Sequence, residues 1–301
     1  MDLARARGGP GRGDQRPVSA VNPVGPVGGR DWAPLTVGEL VARLPEPDDP
    51  VAVLEIALLA AWRPDALAGS DALPGCVLRE HAGMTKRANS LLIPTRRVPA
   101  DLSPAADFYA RRRLPALAMV RADAPAAPAL APTPDPRVLV MTAPVEVVAA
   151  SPRRGAGASA RPGVAVALDE DPSHDLIART AGRARPGTSG EEARLLARRL
   201  LTSAPAQRFA STPAGGAGRL AVTGIDGVAV LDGLFVPPRA RRRGEASAMV
   251  RALAGAAGAL GARTMALEVE RDNAPAVACY LALGFQTHHE HLYCAVLDAR
   301  A

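Results

Sequence analysis

The segment that most constrains this chain is Val236–Ala246, V-P-P-R-A-R-R-R-G-E-A. An apolar run typical of a β-strand stops at Pro237 and Pro238, and Gly244 then opens a long helical pattern. A strand that turns through small residues into a helix leaves several backbone N–H groups unpaired at the helix start, where the positive end of the helix dipole also lies. The segment therefore predicts an anion site, and phosphate is the usual occupant.

Arginines surround this turn at four of five successive positions: Arg239, Arg241, Arg242 and Arg243. An R-R-R run by itself is more typical of a solvated face or a nucleic-acid patch. Here the prolines before it and Gly244 after it favour a clamp for a diphosphate. The formal charge is +6, but the other arginines are scattered along the sequence. Nucleic acid is therefore not the expected partner.

Length and composition set the wider limits. A chain of 301 residues is long enough for two domains, and 48% hydrophobic residues suffice for their cores. The three cysteines, Cys76, Cys279 and Cys294, lack C-x-x-C spacing, which argues against a disulfide framework or a zinc site. His288, His289 and His291 alternate near the C-terminus, where we expect a terminal hairpin and no metal.

The N-terminal region predicts neither export nor a membrane anchor. Residues 1–30 are rich in Gly, Pro and Arg without an apolar block, so we expect a disordered arm and a cytoplasmic protein. The longest apolar run, Val51–Trp62, is too short to span a bilayer and contains Glu55. Asp49 as a cap and Pro50 at the first helical position favour a buried helix instead.

The remaining periodicity predicts an α/β fold in two parts. Residues 31–148 contain helical and strand patterns, including a hairpin at Gly75–Ile93 and a buried strand at Val138–Thr142. The Gly- and Pro-rich residues 149–163 indicate a linker. Residues 164–301 predict a strand, two helices, three strands, the helix from Gly244, a strand, a short helix and two final strands.

This second part resembles the GNAT superfamily of N-acetyltransferases. The family signature V-x-P-x-x-R-x-x-G-x-G/A is matched by the following residues: Val236, Pro238, Arg241, Gly244 and Ala246. The second signature, N-x-x-A-x-x-x-Y-x-x-x-G-F, lies about thirty residues later and is matched by Asn273, Ala276, Tyr280, Gly284 and Phe285. Two motifs in the order that the fold requires make the resemblance specific.

The resemblance implies an α+β fold with a mixed, mostly antiparallel central sheet, and an enzyme that transfers acetyl from acetyl-CoA to a primary amine in a ternary complex. The acceptor would be a small molecule or a protein, and a homodimer is compatible with the family. The implied cofactor-binding residues are Leu234, Phe235, Val236, Arg241, Arg242, Arg243, Gly244, Glu245, Ala246, Ser247, Asn273, Ala276 and Tyr280. Tyr280 would also protonate the leaving thiolate. The family's glutamate base has no counterpart on this strand, which leaves Asp232, acting through a water or serving only as a strand-end residue.

Residues 31–148 resemble the degenerate first half of long, actinobacterial-type tandem GNAT proteins, some of which are described as N-acetylglutamate synthases. The resemblance rests on W-R-P at Trp62–Pro64, C-V-L-R-E-H-A-G-M-T-K-R-A-N-S-L-L and V-L-V-M-T-A-P. The proline-rich residues 124–136 depart from it, because five prolines there exclude a regular helix. Arg87 and Asn89 would either line a cleft for an acidic substrate or belong to a surface hairpin. Glutamate as acceptor and a non-catalytic acyl-CoA sensor are therefore the alternative functions.

Overall fold

A computed structural model of the chain describes residues 33–152 and 163–297. The expected arm at residues 1–30 and most of the expected linker lie outside the described residues. The α-helices are α1 Val37–Ala42, α2 Pro50–Ala61, α3 Ser103–Arg111, α4 Val145–Ala150, α5 His174–Ala181, α6 Gly190–Leu201, α7 Glu245–Ala259 and α8 Ala274–Leu281. None of the described helices is both long and apolar enough to cross a membrane.

The strands form one mixed sheet. They are β1 Ala33–Pro34, β2 Ala66–Gly69, β3 Val77–Glu80, β4 Leu91–Ile93, β5 Leu117–Arg121, β6 Leu130–Pro132, β7 Val138–Pro144, β8 Ala167–Asp169, β9 Ala206–Ser211, β10 Ala217–Val222, β11 Val228–Phe235, β12 Thr264–Glu270 and β13 Gln286–Val296. Within the described residues the order is β1-β2-β3-β4-β5-β13-β7-β12-β11-β10-β9-β8, and β6 pairs with β13. Only β4–β5 and β11–β12 are parallel among these pairs, so the predicted mixed, mostly antiparallel sheet is confirmed.

Each half of the sequence places its last strand in the other half of the sheet. β7, from the first half, lies between β12 and β13 and pairs with β12 along Val138–Pro144. β13, from the second half, pairs with β5 along His291–Ala295. Separating the halves would break the β5–β13, β13–β7 and β7–β12 pairings and expose their backbone hydrogen-bonding groups, which is costly in a buried sheet. The exchange therefore joins the halves into one structure.

Helix α2 packs on one face of this joint sheet. The side chain of Asp49 accepts a hydrogen bond from Val51 N–H, and Pro50 is the first helical residue, as the sequence predicts. One side of the helix packs on β7, β10, β11 and β12, and the other packs on β2–β5. Burial on both sides explains why its apolar run has no polar face. Helices α4, α7 and α8 cover the opposite face of the second half.

The structure corrects one prediction about the C-terminus. Instead of a terminal hairpin, residues Gln286–Val296 form the single strand β13, with an irregularity between Thr287 and His289. The sequence suggested two strands because the polar run around His288 interrupts the apolar pattern. In the sheet, His289 and His291 contact the buried Glu55, whereas His288 is exposed. The polar run therefore hides the apolar–polar alternation that a single strand would show in the sequence.

Candidate active site

The parallel strands β11 and β12 separate partway along their length. Their last paired rung joins Leu231 to Leu267. Gly233 then adopts φ +62°, and the pairing with β10 shifts so that one extra residue of β11 is accommodated as a bulge. No residue of β12 pairs with β11 beyond this point, which leaves an open cleft whose wall includes the backbone of Leu234 and Phe235.

The start of α7 has the geometry that the predicted anion site requires. Arg242 at φ +63° and Gly244 at φ +83° turn the chain into the helix. The first hydrogen bond of the helix runs from Ala248 N–H to the Gly244 carbonyl, at 2.9 Å. The amides of Glu245, Ala246 and Ser247 therefore have no acceptor within the helix. A phosphate fits this cradle, because a Cβ placed on Gly244 would meet no atom within 4 Å.

The charged side chains of the turn differ in their roles. Arg239, Arg241, Arg242 and Arg243 are exposed, and Arg241 Nε donates to the Val236 carbonyl at 3.2 Å. Glu245 is buried, and its carboxylate accepts a hydrogen bond from the Thr212 hydroxyl of the β9–β10 turn. Glu245 thus anchors the helix start, and only its backbone amide is directed toward a ligand.

Helix α8 packs beside α7. Ser247 Oγ lies 3.5 Å from Cys279 Sγ, and Ala276 packs against the core cluster that contains Tyr280. Asn273 is exposed and caps α8, because its Oδ1 accepts a hydrogen bond from the Ala276 amide at 3.3 Å. The structure thus brings the two sequence signatures together at the end of the sheet where α7 begins.

Tyr280 is almost fully buried, and its ring contacts Phe285 edge to face, with centroids 5.8 Å apart. Its hydroxyl forms no hydrogen bond with the described residues. Burial, and next the neighbouring Cys279 thiol, raise the pKa of Tyr280 above its ordinary value. The hydroxyl therefore stays protonated at neutral pH, which suits a proton donor.

Two carboxylates stand where β11 and β12 begin to separate. Asp232 follows Leu231 on β11, and Glu268 follows Leu267 on β12, on the sheet face that carries α2. Asp232 Oδ2 lies 2.6 Å from Arg219 Nη1, whereas its Oδ1 is buried without a hydrogen-bond partner. Burial raises the pKa of Asp232, and the attraction of Arg219 and Arg87 only partly offsets this effect. The unpartnered oxygen could accept a hydrogen bond from a ligand.

The first half of the chain supplies a wall of the same region. Arg87 Nη2 lies 2.5 Å from Glu268 Oε2, and the Arg87 guanidinium lies 5.8 Å from the centre of the Trp62 ring. Asn89 has a structural role, because its Oδ1 accepts hydrogen bonds from the amides of His81 and Gly83 and so shapes the β3–β4 turn. Arg87 therefore meets the cleft, whereas Asn89 serves the turn.

Glu55, His289 and His291 form a buried cluster that contacts Glu268 through His291. Glu55 Oε1 lies 2.8 Å from His289 Nε2 and 3.2 Å from His291 Nδ1, and the three ligand-type atoms fall within 4.8 Å of one another. Burial would raise the pKa of Glu55, but hydrogen bonds from His289 and His291 outweigh it and hold that pKa well below the ordinary value. Glu55 is therefore ionised at neutral pH. The absence of a metal from this protein stays a prediction.

A separate cavity of about 310 Å³ lies in the first half, between α1, α2 and the β2–β3 connection. Its lining includes Leu40, Ile56 and the buried Cys76, whose pKa burial raises to about 12. A thiol with this pKa is a poor nucleophile at neutral pH. The cavity contains no residue of the two signatures, and we do not assign the chemistry to it.

Comparison with known proteins agrees with this geometry. Residues 210–285, which contain the cleft, α7 and α8, match the model of the acetyltransferase (GNAT) family. The matched segment is 76 of the 301 residues of the chain. No curated protein matches the chain in sequence.

Solved structures share the GNAT fold over most of the chain. A tandem GNAT protein from the clavulanic acid biosynthesis pathway is 16% identical, with a TM-score of 0.52, and the match covers 88% of this chain and 97% of that one. A GCN5-related N-acetyltransferase from Kribbella flavida is also 16% identical, with a TM-score of 0.54 and coverage of 83% and 97%. At these identities the likeness concerns the fold alone. The predicted GNAT fold is confirmed.

Sequence reasoning missed several residues around the GNAT cleft. Glu268 sits in an ordinary strand pattern, L-E-V-E, and Glu55 is a single charge inside an apolar helix. A charged residue inside an otherwise apolar run was the available signal for Glu55. No sequence pattern indicates that β13 lies next to Glu55 and Glu268. The contacts of Glu55 with His289 and His291 could therefore be found only in the tertiary structure.

Proposed function

We propose that the protein is an N-acetyltransferase that moves the acetyl group of acetyl-CoA to a primary amine. The observation that carries this proposal is that Asp232 and Glu268 lie where β11 and β12 part, and that β11 leads directly to the helix start of α7. A single ligand with a pyrophosphate at one end and a thioester at the other would extend between them. A cationic amine would approach the two carboxylates from the α2 side.

Binding of the donor would depend mainly on the backbone. The amides of Glu245, Ala246 and Ser247 would hold the pyrophosphate, and Arg241 and Arg242 would add positive charge. The thioester of acetyl-CoA supplies an activated acetyl group. Amides of the bulged strand near Leu234–Val236 would stabilise the oxyanion, because their dipoles are fixed before the reaction.

The acceptor must lose a proton before it attacks, because amines of this kind have pKa values of roughly 8 to 10. The unpartnered Oδ1 of Asp232 would hold the ammonium group, and the Asp232–Glu268 pair would remove its proton. The raised pKa of Asp232 brings this carboxyl closer to neutral pH, where a general base works best. Tyr280 would donate a proton to the departing thiolate, since burial keeps its hydroxyl protonated.

The cleft favours a cationic acceptor over glutamate. Arg87 and Arg219 are the cations beside the carboxylates, and each already has an acidic partner, Glu268 and Asp232 respectively. A substrate carboxylate would have to displace one of these partners, at the cost of leaving a buried charge unpaired. An amine without a nearby carboxylate meets no such cost.

The test measures release of free thiol from acetyl-CoA across a panel of amines, with polyamines, aminoglycosides, lysine peptides and glutamate included. We expect turnover with at least one cationic amine and a weaker response to glutamate. Binding of acetyl-CoA with no thiol release across the panel at any pH would refute the enzyme assignment and support an acyl-CoA sensor. Efficient glutamate turnover would contradict the cationic-acceptor assignment alone.

A further inference from the structure

Five side chains lead from the cleft to the protein surface in an unbroken series of contacts. Glu268 Oε1 lies 3.3 Å from His291 Nε2, and His291 Nδ1 lies 3.2 Å from Glu55 Oε1. The same Glu55 oxygen lies 2.8 Å from His289 Nε2, and His289 Nδ1 lies 2.8 Å from His288 Nδ1. Every contact joins two groups that can exchange a proton.

Burial along this series changes in one direction. The side chains of Glu268, His291 and Glu55 are at most 3% exposed, and that of His289 is 8% exposed. His288, at the far end, is exposed. The series therefore begins at a carboxylate of the cleft and ends in water. It exists because β13 from the second half crosses beneath α2 from the first half.

We propose that these five side chains conduct the proton released by the acceptor amine from the cleft to solvent. This inference rests on the proposed acetyl transfer, in which the Asp232–Glu268 pair takes up one proton in each turnover. The side chain of Glu268 is only 3% exposed, so that proton has no direct contact with water. Without an exit, Glu268 would stay protonated and could not serve the next amine.

The proton moves by a shift of one position at each contact. Before the shift, we assign hydrogens to His291 Nδ1 and His289 Nδ1, and one shared hydrogen between Glu55 and His289 Nε2. Glu268 passes its new proton to His291 Nε2, and His291 Nδ1 passes its own to Glu55. The shared hydrogen then goes fully to His289 Nε2, and His289 Nδ1 passes its proton to His288 Nδ1. His288 finally releases a proton from Nε2 to water, so no charge remains on the series. The imidazole rings then have to turn over, which returns the hydrogens to their starting positions before the next proton passes.

Charged groups face both ends of the series. Facing the inner groups are Arg79 of β3, Arg87 of the β3–β4 turn, Asp232 of β11 and Tyr293 of β13. Arg121 and Asp49 are the charges near His288. Partial burial, together with the charges of His289 and Arg121, lowers the pKa of His288. His288 is thus neutral at pH 7, able to accept a proton and quick to release it.

The test replaces the exposed end, where folding is least affected. His288→Ala should lower kcat on the order of tenfold in dilute buffer, because the last proton acceptor is lost. Added imidazole should restore the rate in proportion to its concentration. His174→Ala, which removes an exposed histidine of α5, serves as the control and should respond to neither change. A wild-type rate for His288→Ala in dilute buffer, or a reduced rate that imidazole does not restore, would overturn the relay.

A second measurement does not depend on turnover. Nitrogen NMR of the histidine rings should show that His288 and His289 titrate together, and that Glu55→Gln changes the tautomer of both His289 and His291. Independent titration with unchanged tautomers would overturn the relay, as would one equivalent of a tightly bound divalent metal in the purified protein. If wild type releases no thiol with any amine, the proposed function fails, and this NMR result alone decides the relay.

Discussion

Asp232 and Glu268 occupy neighbouring positions on parallel strands, one residue beyond the last rung that joins β11 to β12. The sheet opens at this rung, and the two carboxylate side chains lie beside the opening on the face that carries α2, 9% and 3% exposed. Arg219 and Arg87 hold the pair in place from two different halves of the chain.

Replacing Asp232 with Asn should lower kcat/KM by about a hundredfold, which is a usual effect of losing a general base. Since a carboxyl must be ionised to accept a proton, the wild-type rate should fall as the pH drops through the raised pKa of Asp232, and this fall should weaken in the variant. A pH–rate profile from pH 5 to 9 measures both effects. Asp226→Asn, at an exposed loop position, is the control; an unchanged profile in Asp232→Asn would exclude Asp232 as the base.

Gly244→Glu should abolish acetyl-CoA binding, because a carboxylate at the start of α7 repels the pyrophosphate and fills its cradle. Gly261→Glu provides a matched control just beyond the other end of α7. Both glycines have a positive φ, +83° and +82°, and both have open space where a Cβ would lie. Backbone strain and added charge are therefore similar. Calorimetry should show binding in the control alone, and retained binding in Gly244→Glu would contradict the pocket assignment.

Gly233→Ala should lower kcat by more than its loss in the free energy of unfolding explains. The bulge needs φ +62°, which strains any other residue, and a new Cβ would lie 3.3 Å from the Leu176 side chain, which must move slightly away. Gly224→Ala has a similar φ of +73° with no atom within 4 Å. Each substitution should cost about 1–3 kcal/mol in the free energy of unfolding. Denaturation and kinetic assays on both variants check this, and equal kcat values would argue against a role for the bulge.

Tyr280→Phe should lower kcat with little change in the melting temperature, because the hydroxyl has no hydrogen bond to lose among the described residues. Tyr109→Phe should lower the melting temperature with little change in kcat. The buried Tyr109 hydroxyl donates to the Arg79 carbonyl and accepts from the Arg79 amide, both at 3.2 Å, and lies in the core of the first half. Kinetics and thermal melts separate the two outcomes. An unaltered rate and pH profile in Tyr280→Phe would remove its role as the acid.

The sequence alone established much of the local structure. The proline-to-glycine turn before α7, the cap of α8 at Asn273 and the helix beginning at Pro50 all depend on residues close together in the chain. Turn and cap preferences come from short-range sterics and hydrogen bonding, which neighbouring residues decide. The same locality explains why the anion site could be predicted and why both GNAT signatures could be placed on a strand–helix turn and a helix.

Only the tertiary structure decided how the halves combine and which groups face the cleft. The exchange of β7 and β13 depends on pairing between strands more than a hundred residues apart, and sequence periodicity carries no information about such partners. It brings Glu55 of the first half to His289 and His291 of the second. Sequence determined most of the elements and the strand–helix turn before α7, because those depend on neighbours, but it divided β13 into two strands. The charged interior behind Glu268 exists because long-range strand pairing placed residues of both halves on one face of the sheet.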